Sequence, residues 1–158
     1  MEGKEINKTT KSELQIKKDT VGVKRVAVYA RVNSTHESQD ELYETQRKYY
    51  EEKIAENSDM ILVDVYSDYG VSGTQINNRP EFLRMMDDAE TGKIDVIITE
   101  SASRLSRNVI QLANTIKRLK ELGVGIIFEQ QEIDSANPES ESFFNNLSSL
   151  VQEESNGI

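Results

Sequence analysis

Two kinds of hydrophobic pattern alternate along the chain. Short runs of apolar, often β-branched residues are typical of buried strands, whereas apolar residues that recur every three or four positions are typical of amphipathic helices. The short runs predict four strands, at residues 26–29, 60–66, 94–98 and 124–128. The longer spacing predicts four helices: from Asp40 to about Ala55, from Pro80 to Gly92, from Val109 to Gly123, and along the stripe from Phe143 to Val151. Asp40 is a candidate N-cap of the first helix, and Gly92 and Gly123 are candidate helix stops.

Strands and helices therefore alternate through the chain, which favours a parallel sheet covered by helices on both faces. We expect an α/β fold with three layers, α/β/α, built on a mostly parallel sheet of four or five strands and ending in a long C-terminal helix. In such folds, ligands bind beyond the carboxyl ends of the strands. The segments in which to look for functional residues are therefore 29–39, 66–79, 99–107 and 129–138.

The composition narrows the chemistry that the chain can carry. Its 158 residues include no cysteine, and its one histidine is His36. These counts exclude disulfides, thiolate catalysis, cysteine-bound metals and sites built on pairs of histidines. Residues 1–22 are polar and aperiodic, so we expect a flexible N-terminal tail. No apolar run approaches the roughly 20 residues of a membrane helix and no secretory signal is visible, so we expect a cytoplasmic protein without membrane contact, bound metal or small-molecule cofactor.

The charge of the chain is unevenly distributed. The formal net charge is −9, yet residues 1–26 carry seven basic and four acidic groups, a net +3, so that the remainder sums to −12. Nucleic-acid binders usually present a basic face, and the net charge therefore argues against DNA. A local cluster of arginines can nevertheless hold a phosphate on an acidic protein.

Four arginines lie in the segments that follow predicted strands. Arg31 follows the first strand, Arg79 precedes the second helix, and Arg104 and Arg107 follow the third strand at i, i+3 spacing. A guanidinium group is planar, always charged and matched to phosphate oxygens. A helix beginning near residue 104 would place Arg104 and Arg107 on one face and point backbone N–H groups the same way. The four are therefore a candidate anion site, and the alternative is that each is a solvated or salt-bridged surface residue.

Sites typical of other protein classes are missing from the sequence. No G-x-x-x-x-G-K-[ST] loop occurs, and no G-x-G-x-x-G follows a predicted strand, so a nucleotide-binding fold loses its best support. His36 lies in a polar loop, and we interpret it as a solvated side chain. Five aspartates are not spaced as a metal cage: Asp64, Asp68, Asp87, Asp88 and Asp95.

Six pieces of the sequence, taken in order, resemble the catalytic domain of the serine recombinases, the resolvase/invertase family, and above all its large transposon- and phage-type members. They are VAVYARV followed by Gln39 and Gln46, then DVYSDYGVSGT, NNRPEF, IDVIITESASRLSRN, LKELGVGIIF and LSSLVQEES. The resemblance implies that residues 23–138 form a resolvase-like catalytic domain and that residues 139–158 begin the long dimerisation helix. It also implies that this helix is truncated here and that the family's separate DNA-binding domain is missing from this sequence.

The resemblance also implies a reaction. In this family, a serine hydroxyl attacks a backbone phosphate of double-stranded DNA, forms a 5′-phosphoseryl link and releases a 3′-hydroxyl that later reseals the strand, without ATP, metal or other cofactor. Arginines offset the charge of the five-coordinate transition state. By resemblance, Tyr29 and Arg31 flank the nucleophile, Gln46 helps to order its loop, and the phosphate is bound by Arg79, Arg104 and Arg107. The family acts as homodimers that pair into tetramers, which implies the same for the full-length protein.

Departures from the family pattern bear on activity. Asn33 occupies the position of the nucleophilic serine, and its amide nitrogen cannot attack because the lone pair is delocalised. The chain is therefore either an inactive copy or one in which Ser34 takes over through a one-residue slip of the loop, ~3.3 Å of extended chain. Glu100 stands where a lysine is common. Two alternatives to an active recombinase remain: a catalytically inert dimerisation or DNA-associated relative of the same fold, and a flavodoxin-like domain that shares only the β/α pattern.

Overall fold

The structure, a computed structural model, describes residues 22–32, 39–70 and 79–156. Its strands are β1 (Lys24–Val32), β2 (Met60–Tyr69), β3 (Val96–Thr99), β4 (Gly125–Phe128) and β5 (Ile133–Asp134). Its α-helices are α1 (Gln39–Ala55), α2 (Pro80–Glu90), α3 (Ala102–Leu105), α4 (Val109–Glu121) and α5 (Glu141–Asn156), and a short 3-10 helix (Pro138–Ser140) precedes α5. All four predicted strands and all four predicted helices are present.

The five strands form one sheet in the order β2-β1-β3-β4-β5. The first four are parallel, and β5 pairs antiparallel with β4 at the edge of the sheet. The prediction of an α/β fold with a mostly parallel sheet is confirmed. The fifth strand has no counterpart among the predicted runs because it is two residues long and lies in the polar segment 131–138, where Ile133 is its one apolar residue.

Helices cover both faces of the sheet, as predicted. On one face, Val26, Val28 and Val65 pack against Ile54 of α1. On the other face, side chains of the sheet form the larger core with residues of α2, α4 and α5, among them Phe82, Met85, Leu112, Leu119, Phe143 and Phe144. Alternate residues of a strand point to opposite faces, so Ala27 and Tyr29 of β1 belong to the larger core.

The helix ends agree with the sequence at the glycines and differ at Asp40. Gly92 and Gly123 follow α2 and α4 with φ of +79° and +76°, the left-handed conformation that glycine adopts at helix ends. Helix α1 begins at Gln39, so Asp40 lies in the first turn and not at the cap. Its carboxylate still faces the positive end of the helix dipole. In the part of the chain that the structure describes, no helix combines the length and apolarity needed to cross a membrane.

Two of the sequence predictions fall outside the described residues. The expected flexible tail, residues 1–22, is described only at Gly22, and the nucleophile candidates Asn33 and Ser34 both follow the end of β1. Their roles therefore stay predictions from the sequence.

An ion pair ties the start of β1 to the residue before β3. Asp95 Oδ2 accepts hydrogen bonds from the backbone N–H (2.8 Å) and the Nε (2.9 Å) of Arg25, and Oδ1 accepts from Nη2 at 3.1 Å. The hydrogen bonding with Arg25 is the main cause that holds the pKa of Asp95 below its ordinary value. A carboxyl group whose pKa is lower in the folded protein than in the unfolded chain stabilises the fold at pH values above the unfolded pKa, about 3.9. This stability is lost as the pH falls through the folded pKa.

Replacing Asp95 with asparagine is expected to lower the free energy of unfolding by about 1–2 kcal/mol near neutral pH, because the charge-assisted bonds to Arg25 are lost. The difference between the two proteins should shrink as pH falls below about 4. Urea denaturation at a series of pH values measures both quantities. A difference that stays constant down to about pH 2 would contradict the assignment of this stability to the carboxylate.

Candidate active site

The carboxyl ends of three neighbouring strands, β2, β1 and β3, lie side by side and present polar residues. In the parallel register, Tyr29 of β1 lies opposite Tyr66 of β2 and Thr99 of β3, and two residues further on Arg31 lies opposite Asp68. The Thr99 hydroxyl donates a 2.9 Å hydrogen bond to the Tyr29 carbonyl, which closes the β1–β3 pairing at this end. Residues two apart share a face, so Tyr29, Arg31 and Asp68 all point to the side of α2.

A buried chain of hydrogen bonds joins three of these side chains. Nε of Arg79 donates to the Tyr29 hydroxyl at 3.0 Å, and that hydroxyl donates to Oδ2 of Asp68 at 2.7 Å. Arg79, Tyr29 and Asp68 are 0%, 1% and 2% exposed. Burial raises the pKa of Tyr29 and the bond to Asp68 adds to this, while the charge of Arg79 opposes it. The phenol therefore keeps its proton. Because it bonds to both groups, the position of the Asp68 carboxylate fixes the position of the Arg79 guanidinium through Tyr29.

Asp68 also fixes the start of α2. Its two carboxylate oxygens accept hydrogen bonds from the backbone N–H groups of Glu81 (3.0 Å) and Phe82 (3.1 Å), in the first turn of the helix. These N–H groups have no partner within the helix, and a carboxylate there is stabilised by the helix dipole. Arg79 then packs above the Phe82 ring, with its guanidinium carbon 4.1 Å from the ring centroid. The Asp68 carboxylate thus fixes the start of α2 directly and the Arg79 guanidinium through Tyr29.

The sequence pattern predicts no role for Asp68, which it only excludes, with four other aspartates, as part of a metal site. The signal that points to it is a carboxylate at the end of a buried strand, on the same face as an aromatic residue two positions earlier, Tyr66. Such a group cannot remain buried without hydrogen-bond donors.

The short helix α3 brings Arg104 against Arg31. Nη1 of Arg104 donates to the Arg31 carbonyl at 3.0 Å, and Nη2 of Arg31 donates to the Ser103 carbonyl at 3.4 Å. Burial lowers the pKa of Arg31, and the positive charges of Arg107, Arg104 and Arg79 lower it further. Three of the arginines singled out in the sequence therefore act electrostatically on the fourth, Arg31, at the carboxyl edge of the sheet.

These four arginines form two layers. Arg31 and Arg79 are buried, whereas Arg107 is exposed and Arg104 is partly exposed. Arg104 and Arg107 are accessible to an anion from solvent, whereas Arg31 and Arg79 are shielded from it. Contact between Arg79 and a phosphate requires the residues that cover it to move.

Helix α3 differs from the helix expected near residue 104. It ends at Leu105, so Arg107 lies beyond it and does not share a helical face with Arg104. The first N–H of the helix, that of Ala102, donates to Oε1 of Gln131 at 2.9 Å. That group is therefore occupied by a side chain and is not directed at a ligand. The arginine side chains carry the positive potential of this edge.

Gln46 lies on the opposite face of β2 from Asp68. Its Oε1 accepts a 2.8 Å hydrogen bond from the hydroxyl of Ser67, the residue before Asp68. Because Ser67 points toward α1, Gln46 joins that helix to the end of β2. Gln46 therefore lies beside the site, and its hydrogen bond is to Ser67 and not to one of the four arginines.

Two cavities lined by described residues include none of the four arginines in their walls. One of about 370 Å³ lies beside the end of β2 and is lined by Asp40, Tyr43, Ser67, Asp68, Tyr69, Pro80 and Glu81. Its charged groups are all acidic, so it is unsuited to a phosphate. A larger one, about 800 Å³, lies between α4 and α5. Among the described residues, no three His, Asp or Glu side chains are grouped closely enough to hold a metal ion.

A parallel α/β domain with a cluster of arginines at the carboxyl edge of its sheet is suited to hold an anion such as a phosphate. The chain belongs to the resolvase family, since the model of the resolvase N-terminal domain matches residues 26–158. The resemblance to serine recombinases is thereby confirmed, and the flavodoxin-like alternative is wrong.

Solved structures of recombinase catalytic domains are similar to the chain. The N-terminal catalytic domain of TP901-1 integrase is 28% identical with a TM-score of 0.67, and the match covers 84% of this chain and 98% of that one. A resolvase family site-specific recombinase from Streptococcus pneumoniae is 29% identical with a TM-score of 0.62, over 84% and 89% of the two chains. The catalytic domain of ISC1926 TnpA, an IS607-like serine recombinase, shares the fold at 18% identity and a TM-score of 0.54, over 82% and 99%. A comparison with curated proteins gave no match.

Proposed function

We propose that the chain is the catalytic domain of a site-specific DNA recombinase, which cuts and rejoins strands through a 5′-phosphoseryl intermediate. The observation that carries this proposal is the meeting of two arginines at the carboxyl edge of the sheet, where Arg31 is buried and Nη1 of Arg104 donates to its carbonyl. Burial lowers the pKa of Arg31, and the charges of Arg107, Arg104 and Arg79 lower it further. Like charges held together at a cost in stability are typical of functional sites. An anion with spread charge, such as a DNA phosphodiester, relieves that repulsion.

The proposed reaction is a transesterification. The serine hydroxyl oxygen bonds to phosphorus, its proton leaves, and the bond from phosphorus to the 3′-oxygen breaks, so that the 3′-oxygen takes up a proton. Rejoining runs the same exchange in reverse on a different 3′-hydroxyl. One phosphodiester replaces another at each step, and the protein must stabilise the extra negative charge of the five-coordinate transition state.

The geometry suggests a division of labour among the site residues. Arg104 and Arg107 are accessible and would contact the phosphate, and Arg31 would act on it from beneath. Arg79 is held by Tyr29, which is held in turn by Asp68. Gln46 supports the end of β2 through Ser67. Tyr29, Asp68 and Gln46 are thus positioning residues in this proposal.

The nucleophile separates two versions of the proposal. With Asn33 at the family's serine position, the chain either cuts slowly through Ser34 or serves as an inert partner of the same fold. A misplacement of about 1 Å can cost ~10²-fold in rate, so a displaced Ser34 is expected to be slow. The partners in either version are double-stranded DNA and a second copy of the chain, with dimers pairing into a tetramer.

Restoring the serine tests the proposed reaction. The Asn33→Ser variant is expected to form a covalent protein–DNA adduct about 10²-fold faster than the unmodified chain. Duplexes of randomised sequence carrying a nick, which traps the cut strand, are incubated with each protein and resolved under denaturing conditions. Mass spectrometry of the adduct then locates the phosphoserine.

The Ser34→Ala variant is the matched control. If the unmodified chain forms an adduct that Ser34→Ala abolishes, Ser34 is the nucleophile, and if the unmodified chain forms none, it is the inert version. Absence of any adduct from Asn33→Ser would count against serine transesterification by this domain. So would an adduct that persists when both positions are alanine.

A further inference from the structure

The guanidinium of Arg104 already carries an anionic ligand from its own chain. Its Nε donates to Oε1 of Glu100, which precedes the helix, at 3.0 Å, and its Nη1 donates to the Arg31 carbonyl at 3.0 Å. A guanidinium binds a carboxylate or a phosphate through the same N–H groups. The Nε edge of Arg104 is therefore occupied by a carboxylate at the place where an incoming phosphate would bind.

The carboxylate of Glu100 is anchored from its other side. Its Oε2 accepts a hydrogen bond from Nε2 of Gln130 at 3.2 Å, and the backbone N–H of Gln130 donates to the Glu100 carbonyl at 2.7 Å. Both carboxylate oxygens thus have partners, one on Gln130 and one on Arg104. Glu100 is exposed at the surface, so these contacts hold it in place by hydrogen bonds and not by packing.

We propose that Glu100 is an intramolecular competitor of the DNA phosphate for Arg104, so that phosphate binding has to break the Glu100–Arg104 ion pair. This inference rests on the proposed function, since it assumes that Arg104 is a phosphate contact. A bound phosphate would lie near the Glu100 carboxylate with the same sign of charge, and the two anions repel each other. Glu100 therefore weakens the resting affinity of the site and releases Arg104 only to a ligand that brings further contacts.

A purely structural role for Glu100 predicts the opposite behaviour. If Glu100 only oriented Arg104, its removal would disorder the guanidinium and weaken anion binding. The Glu100→Gln variant separates the two roles because the amide keeps an oxygen that can accept from Nε of Arg104 but carries no charge. Competition predicts tighter binding by this variant, whereas positioning predicts unchanged or weaker binding.

The test is a titration of the 158-residue chain with inorganic phosphate and, separately, with a short DNA duplex, both at low ionic strength. The Nε–Hε signal of Arg104 in proton–nitrogen NMR spectra reports binding at this side chain. The Glu100→Gln variant is expected to bind each ligand about three- to tenfold more tightly, the size expected for relief of one partly exposed charge.

Glu121→Gln is the matched control. Glu121 pairs with Arg118 on α4, and its side chain is 51% exposed against 49% for Glu100, so the substitution changes the net charge equally at a similar depth. Its affinities are expected to match those of the unmodified chain. An equal gain in Glu121→Gln would show an effect of net charge and would overturn the inference, as would unchanged or weaker binding by Glu100→Gln.

The Arg104→Ala variant distinguishes failure of this inference from failure of the proposed function. If anion binding is lost in Arg104→Ala but is not improved by Glu100→Gln, the phosphate site stands and the competitor role is wrong. If phosphate and duplex bind equally well without Arg104, or bind to none of the proteins, the proposed phosphate site is wrong and the inference is overturned with it.

Discussion

Replacing Asp68 with alanine is expected to lower the free energy of unfolding by about 3–5 kcal/mol, the largest stability effect we predict for a single side chain. The carboxylate is 2% exposed and accepts three hydrogen bonds, from the Tyr29 hydroxyl and from the N–H groups of Glu81 and Phe82. Alanine leaves all three donors without that acceptor, and two of them, the Tyr29 hydroxyl and the Phe82 N–H, are buried. It also removes the negative charge nearest to the buried pair of Tyr29 and Arg79.

For a chain of this length, such a loss corresponds to a fall of about 10 °C in the melting temperature. Denaturant unfolding followed by circular dichroism measures it. Asp68→Asn keeps one acceptor oxygen without the charge, and we expect about half the loss. Asp87→Ala removes an exposed carboxylate from the same helix, α2, and should cost less than about 0.5 kcal/mol. A cost below about 1 kcal/mol for Asp68→Ala would show that the carboxylate does not organise this end of the sheet.

The sequence was sufficient for the architecture because the sheet interior is built from uninterrupted apolar runs. Residues 26–29 and 94–98 are apolar apart from Asp95, and a strand buried on both faces has no other composition available. The search for apolar runs, however, predicts ends for β1 and β2 that come three residues too early. Both strands continue to Val32 and Tyr69, since their pairing extends through Arg31 and Asp68, and these polar residues are stabilised by partners that pattern reasoning does not include.

The sequence predicts which arginines belong to the candidate site, but it does not predict which of them are buried. Position at strand ends was enough to select Arg31, Arg79, Arg104 and Arg107. Which of them are buried depends on contacts between residues far apart in sequence, such as Arg79 with Tyr29, 50 positions away. The Glu100–Arg104 pair is local in sequence, but Glu100 precedes α3 and Ser101 is extended, so the spacing rule for helices does not predict it. The sequence indicates only that Glu100 inverts the charge common at its position.

The buried position of Arg31 leads to the second large effect. If the Asn33→Ser variant cuts DNA as proposed, adding Arg31→Met is expected to slow adduct formation about 10³-fold, because the proposed transition state loses a charge that offsets its own. The same substitution should change the free energy of unfolding by less than about 1 kcal/mol, because the lost hydrogen bond to the Ser103 carbonyl is offset by removal of a buried charge. Burial and three neighbouring arginines disfavour the charged form of Arg31, as its lowered pKa indicates, and methionine fills similar space without charge.

A large loss of activity with little change in stability is the diagnostic result, because replacing a structural arginine would lower both together. Single-turnover adduct formation and denaturant unfolding are measured on the same preparations. Arg118→Met serves as the control, since Arg118 is exposed on α4, pairs with Glu90 and Glu121, and lies outside the arginine cluster. Its rate should be unchanged. If Arg31→Met cuts as fast as its parent, the buried charge has no part in stabilising the transition state. The proximity of three other positive charges to Arg31 would then need another explanation.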